Sequence, residues 1–92
     1  MAQTRYTKDP DSTLDYLWDW AAWLGEDTIA AAQIVVSPAG LTAGVPTVED
    51  DTAVRCWLSG GTLGTRYDVT CRITTAGGRI DDWTAEILCA QR

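Results

Sequence analysis

Three thiols, thirteen carboxylates and seven basic side chains are the groups in this 92-residue chain that could do chemistry, and no imidazole stands among them. Without histidine, Cys56, Cys71 and Cys89 have no partner for a Cys–His pair within one chain, and Ser37 and Ser59 lack the same base. The cysteines show no metal-ligand spacing. Each falls on the inward phase of an alternating run, where a thiol behaves as a small hydrophobe; a bridge between two of them stays open for a product that ends outside a cell. Asp9, Asp11 and Asp15 have the look of a calcium loop, but Leu14 and Trp20 stand where that loop needs Gly and Glu. Asp50-Asp51 and Asp81-Asp82 are adjacent pairs, and neighbours on a strand point to opposite faces, so they read as solvated loop ends, with a metal shared between the two loops as the alternative. Gly60-Gly61-x-x-Gly64 lacks the Lys-Ser/Thr of a phosphate-cradling loop. The expectation is a chain that is not an enzyme, with no cofactor and no resident metal.

Aromatic usage is more telling. Five tryptophans and three tyrosines occur without one phenylalanine, a bias toward rings with a polar handle that suit half-wet surfaces. By alternation Trp18 and Trp20 share a face, whereas Trp23 and Trp57 fall opposite the core faces of their strands. Trp23, Trp57 and with them Trp83 are therefore the candidate interface residues, since aromatics concentrate at the energetic centres of protein contacts. Ordinary packing and surface scatter, or a carbohydrate platform, are the alternatives.

The elements that must position these groups read as β-strands. Val54, Cys56 and Leu58 alternate with Ala53, Arg55 and Trp57; after a glycine-rich turn, Tyr67, Val69, Cys71 and Ile73 alternate with Asp68, Thr70, Arg72 and Thr74. Trp83, Ala85, Ile87 and Cys89 continue the pattern beyond a hairpin turn at Gly77-Gly78. Residues 28–36 form a strand despite three alanines, and 41–48 a short edge strand holding Gly44 and Pro46. Residues 14–24 fit both templates: Leu14, Leu17, Trp18, Ala21 and Leu24 make a helical stripe, while Leu14, Tyr16, Trp18, Trp20 and Ala22 make a strand face that aromatic enrichment favours. Residues 1–13 are polar and read as an arm, leaving 14–92 as the domain. About six to seven antiparallel strands with regular turn signals predict an all-β sandwich.

A formal charge of −6, with the basic residues scattered, argues against a nucleic-acid backbone as partner. No apolar run has transmembrane length, and the polar opening from Met1 to Pro10 lacks the apolar centre of a signal peptide. No membrane partner is expected, and synthesis in the cytosol is.

Gly64-Thr65-Arg66-Tyr67-Asp68-Val69 resembles the Gly-Thr-x-Tyr-x-Val lead-in to the sixth strand of fibronectin type III and other immunoglobulin-like domains. There the tyrosine hydroxyl ties back to a loop backbone. The resemblance gives Tyr67, with Gly64 and Thr65, a structural role at a corner between sheets. Residues 28–36 contain no cysteine, so the inter-sheet disulfide of antibody domains is not expected. The wider pattern is Lys8-Asp9-Pro10-Asp11, Leu14-Asp15-Tyr16, Asp19-Trp20, Trp23-Leu24, Asp27-Thr28-Ile29, Pro38-Ala39-Gly40-Leu41, Trp57-Leu58-Ser59-Gly60-Gly61-Thr62, Gly64-Thr65-x-Tyr67 and Ile73-Thr74-Thr75-x-Gly77. Over about residues 8–89 it is similar to short bacteriophage structural proteins described as fibre-like or virion proteins. That resemblance implies an immunoglobulin-like β-sandwich on the virion, made in the bacterial host cytoplasm, binding other virion proteins as a fibre, tail or neck component and associating with itself, with a trimer as the guess. A capsid decoration protein and a receptor- or glycan-binding module at a fibre tip are the alternatives.

Overall fold

The glycine turn after the first alternating run does not join two neighbours of one sheet; it carries the chain from one sheet to another. The computed structural model describes residues 4–91. Its strands are β1 (Thr4–Lys8), β2 (Thr13–Asp19), β3 (Ile29–Ser37), β4 (Leu41–Ala43), β5 (Thr47–Glu49), β6 (Ala53–Gly60), β7 (Arg66–Thr75) and β8 (Ile80–Cys89), with one helical turn α1 (Ala21–Leu24). The first sheet has the order β1-β8-β7-β3 and the second β2-β6-β4, with β5 also on β6.

The alternation written in β6 and β7 is what brings the sheets together. Val54, Cys56 and Leu58 from one, and Tyr67, Val69, Cys71 and Ile73 from the other, are all at most 1% exposed and belong to a single core. Ala85, Ile87 and Cys89 of β8 and Tyr16 and Trp18 of β2 extend that core. Each fully buried large apolar side chain contributes about 1.5–3 kcal/mol, so the inward phase of these strands is the main stabilising term.

Several elements differ from the expectation. Eight strands form, and one pair is parallel: β1 runs alongside β8, from Thr4 opposite Ala85 to Lys8 opposite Cys89. That strand comes from the polar stretch read as an arm. Its side chains alternate only weakly in hydropathy, and main-chain pairing to β8 places it. Lys8, the residue that looks most solvent-bound, is fully buried. Its ammonium donates to the carbonyls of Asp9 at 2.9 Å and Gly60 at 2.8 Å, which ties the end of β1 to the end of β6. Residues 14–24 divide between the two templates. β2 ends at Asp19, and Ala21 to Leu24 make one helical turn closed by Leu24 N–H on the Trp20 carbonyl at 2.9 Å, with Gly25 at φ 63° as the stop. The single edge strand at 41–48 is two three-residue strands on the same side of β6, because Gly44-Val45-Pro46 interrupts the ladder and proline has no N–H to give it.

Candidate functional site

The outer face of the first sheet is a lattice of polar pairs between its own strands. Arg72 grips Asp82 through two hydrogen bonds, 2.8 and 3.0 Å, and holds its carboxyl below the usual range. Thr70 and Thr84 share a 2.8 Å hydrogen bond. Asp68 lies opposite Glu86, two like charges that would repel, but Arg66 at 3.1 Å and Arg5 at 3.9 Å both reach Glu86. These charges hold the strands in register.

The acidic pairs do not converge either. Asp50 and Asp51 sit in the turn after β5 with φ of 52° and 59°, and the Asp51 carbonyl accepts the Ile29 N–H at 2.8 Å. Asp82 faces out to Arg72, its neighbour Asp81 turns to the other side, and Asp81 accepts the Asp82 N–H at 2.9 Å. Among the described residues no group of three or more Cys, Asp or Glu side chains could hold a metal. The three thiols are free and buried, and burial pushes Cys71 up to about 12 against the opposing pull of the Trp20 indole. A thiol in that state is a poor nucleophile. A groove between the sheets, lined by Tyr6, Tyr16, Leu17, Trp18, Asp19, Trp83 and Ala85, has a volume of about 130 Å³. That is well below the roughly 300–1,000 Å³ of small-molecule sites.

The residues expected at an interface separate. Trp57 stands on the outer face of the second sheet, 53% exposed, opposite Asp15 and diagonal to Leu17, which is 43% exposed. Arg55 beside it bridges Asp15 and Glu49. The Gly44 N–H bonds the Trp57 carbonyl at 2.9 Å, so the glycine lies directly against that strand. Val45, next along, is 87% exposed. Trp23 and Trp83 are elsewhere. Both are half-buried and packed edge-on against the buried Trp20, each with ring centroids 5.5 Å from it.

Sequence reasoning missed a clasp beside that cluster. Arg79 lies over the Trp23 ring at 4.3 Å, donates to the Leu24 carbonyl at 2.9 Å and reaches Asp27 at 3.1 Å. Asp27 also accepts the N–H groups of Thr28 and Gly77. No spacing rule links residues fifty-two positions apart, so no local signal could have found it. The corner residues lie at the other end. Tyr67, 1% exposed, accepts the Thr62 N–H at 2.9 Å on its hydroxyl. Gly64, at φ 83°, donates to the Cys89 carbonyl at 2.6 Å, and the Thr65 carbonyl accepts the Cys89 N–H at 3.0 Å.

The geometry thus defines a two-sheet β domain with ion pairs on its outer faces and an exposed tryptophan, Trp57, on the second sheet. Residues 8–88 match the model of the family described as podophage GP4 fiber-tail adaptor protein gp77, and the chain belongs to that family. It is a structural component of the phage tail or fibre apparatus, and its family implies contacts with other virion proteins. No curated protein matches the chain closely enough to add to this.

Proposed function

We propose that the chain is an immunoglobulin-like β-sandwich that acts by binding, joining fibre to tail in the virion without turning over a substrate. Three features support the sandwich reading. The strand order is β1-β8-β7-β3 against β2-β6-β4, β1 runs parallel to β8, and a buried Tyr67 hydroxyl is tied to the backbone five residues upstream. This is the arrangement expected of that class.

The observation that carries the binding reading is Trp57. It is a large ring with more than half its surface open, diagonal to the exposed Leu17 and next to the Arg55 ion pairs on the same face. An aromatic anchor inside a polar rim is the usual composition of a protein contact. Trp23 and Trp83 serve this surface only indirectly, by packing the end of the domain. The test is reconstitution. The purified chain is mixed with fibre-less tails, with fibre protein and with isolated heads. Co-sedimentation with tails and capture of fibre are expected, both weakened by Trp57→Ala. Binding to heads alone would point to a decoration role and end this reading.

A further inference from the structure

The edges of the two sheets are not treated alike. β1 carries the exposed Arg5, β2 carries Asp15 and Asp19, and the β4–β5 edge is broken by Gly44 and Pro46 and ends in Glu49. Charges and breaks of this kind stop an edge from pairing with another chain. β3 begins with one such break, a bulge where its register on β7 shifts between Ile29 and Ala31, and has none beyond it. It runs nine residues from Ile29 to Ser37 with no charge and no proline; the Asp51 carbonyl takes the Ile29 N–H at its start, and from Ala31 to Ser37 it pairs only with β7. Its inward side chains Ala32, Ile34 and Val36 stay half-buried, while Val69, Cys71 and Ile73 on the neighbouring strand are sealed.

We propose that β3 is a docking edge for β3 of a second copy, the two strands antiparallel about a two-fold axis through Gln33. The sequence of the strand selects this occupant. Pairing about Gln33 sets Ala32 against Ile34 and Ala31 against Val35 of the other copy, and each of these pairs occurs twice. Both alanines beyond the bulge thus meet a β-branched residue, so small and large side chains interdigitate with no two bulky groups opposed. The two Gln33 amides face each other on the outer side, where each can donate and accept. No like charges meet along the strand. The contact is isologous and closes on itself, joining two four-stranded sheets into one of eight. It is a two-fold contact, unlike the three-fold association that the resemblance implied, and it stands whether or not Trp57 binds a partner.

The register makes the test sharp. Residues on the axis lie directly opposite each other at about 4.5–5.5 Å between Cβ atoms, within disulfide reach, whereas position 31 of one copy lies about 13 Å along the strand from position 31 of the other. The three native thiols are buried and stay silent. Under mild oxidation Gln33→Cys should form a covalent dimer of twice the 10.0 kDa chain, and Ala31→Cys should not. Light scattering of the unaltered chain should show a concentration-dependent dimer, and Gln33→Lys, which opposes two ammonium groups on the axis, should raise its dissociation constant at least tenfold. If Gln33→Cys fails to fold by circular dichroism, the Ala31→Cys/Val35→Cys chain reads the same register through its paired positions. A monomer at all concentrations, a trimer or larger species, equal cross-linking at 31 and 33, or a dimer indifferent to Gln33→Lys would each overturn the proposal.

Discussion

The Asp27 carboxylate and the Arg79 guanidinium, fifty-two residues apart in the chain, meet at 3.1 Å and clasp the end of the domain. The clasp ties the loop before β3 to the β7–β8 hairpin, and it makes that end sensitive to acid. The Thr75 hydroxyl first, then the Thr28 and Gly77 amides and Arg79, hold the Asp27 carboxyl at about 2 against an ordinary 3.8. The folded chain therefore releases this proton more readily than the unfolded one. The resulting stability is complete above about pH 4 and is lost as pH falls toward 2. Melting temperatures recorded from pH 2 to 7 should drop through that window, and Asp27→Asn should lower the neutral-pH value and flatten the drop. An unchanged acid slope in the variant would remove Asp27 as its source.

Tyr67→Phe keeps the ring and deletes only the oxygen that accepts the Thr62 N–H. Thr62 is exposed and the bond only part-buried, so water can take up the amide and the cost should be that of one ordinary hydrogen bond, about 0.5–1.5 kcal/mol. Urea unfolding measures it through a shift in midpoint at constant slope. A neutral result would mean that the corner does not hold the sheets.

Gly40→Ala should be costly for two reasons at one position. Its φ of 128° lies where side chains are strained, and a Cβ there would stand 2.9 Å from the Tyr67 hydroxyl. Strain and displacement together should cost more than about 1 kcal/mol, read in the same unfolding experiment. Gly25→Ala shares the positive φ but has open space around it, and should cost less.

Lys8→Ala removes a buried stem and the ammonium that bonds the Asp9 carbonyl and joins β1 to the Gly60 carbonyl. A loss of about 2–4 kcal/mol is expected. Hydrogen exchange should show the β1 amides exposed before those of β7. Uniform acceleration of all strands would argue that β1 is not separately anchored.

The thiols should be inert in the native chain. Cys56, Cys71 and Cys89 are buried, and the Cys71 thiolate is strongly disfavoured. A colorimetric disulfide reagent at pH 8 should titrate none of them until denaturant is added, and then three per chain. Fast reaction without denaturant would place a thiol at the surface.

Trp57→Ala should leave the melting transition nearly unchanged, because the ring is already half in water, and should cost partner binding about 2 kcal/mol, some 30-fold. Loss of folding and binding together would make the ring structural.

How much of this was legible in the chain depended on the range of the interaction. Val54 to Leu58 and Tyr67 to Ile73 announce their strands because a two-residue period is local and burial follows from it directly. The inward thiols and the exposure of Trp57 come from the same phase. The tie of the Tyr67 hydroxyl was an expectation of the Gly64-Thr65-Arg66-Tyr67 resemblance and not of the two-residue period; the bond it makes spans five residues, to the Thr62 N–H. Lys8 in the core, Arg79 over Trp23, the parallel pairing of β1 and the uncapped edge of β3 were not readable in that way. Each depends on which backbone lies alongside which, and side-chain pattern is nearly silent about that choice. Hydrophobic phase determines which face of a strand turns inward; only the closed fold decides which strand is left at the rim, and so where this protein has main-chain hydrogen bonds to offer.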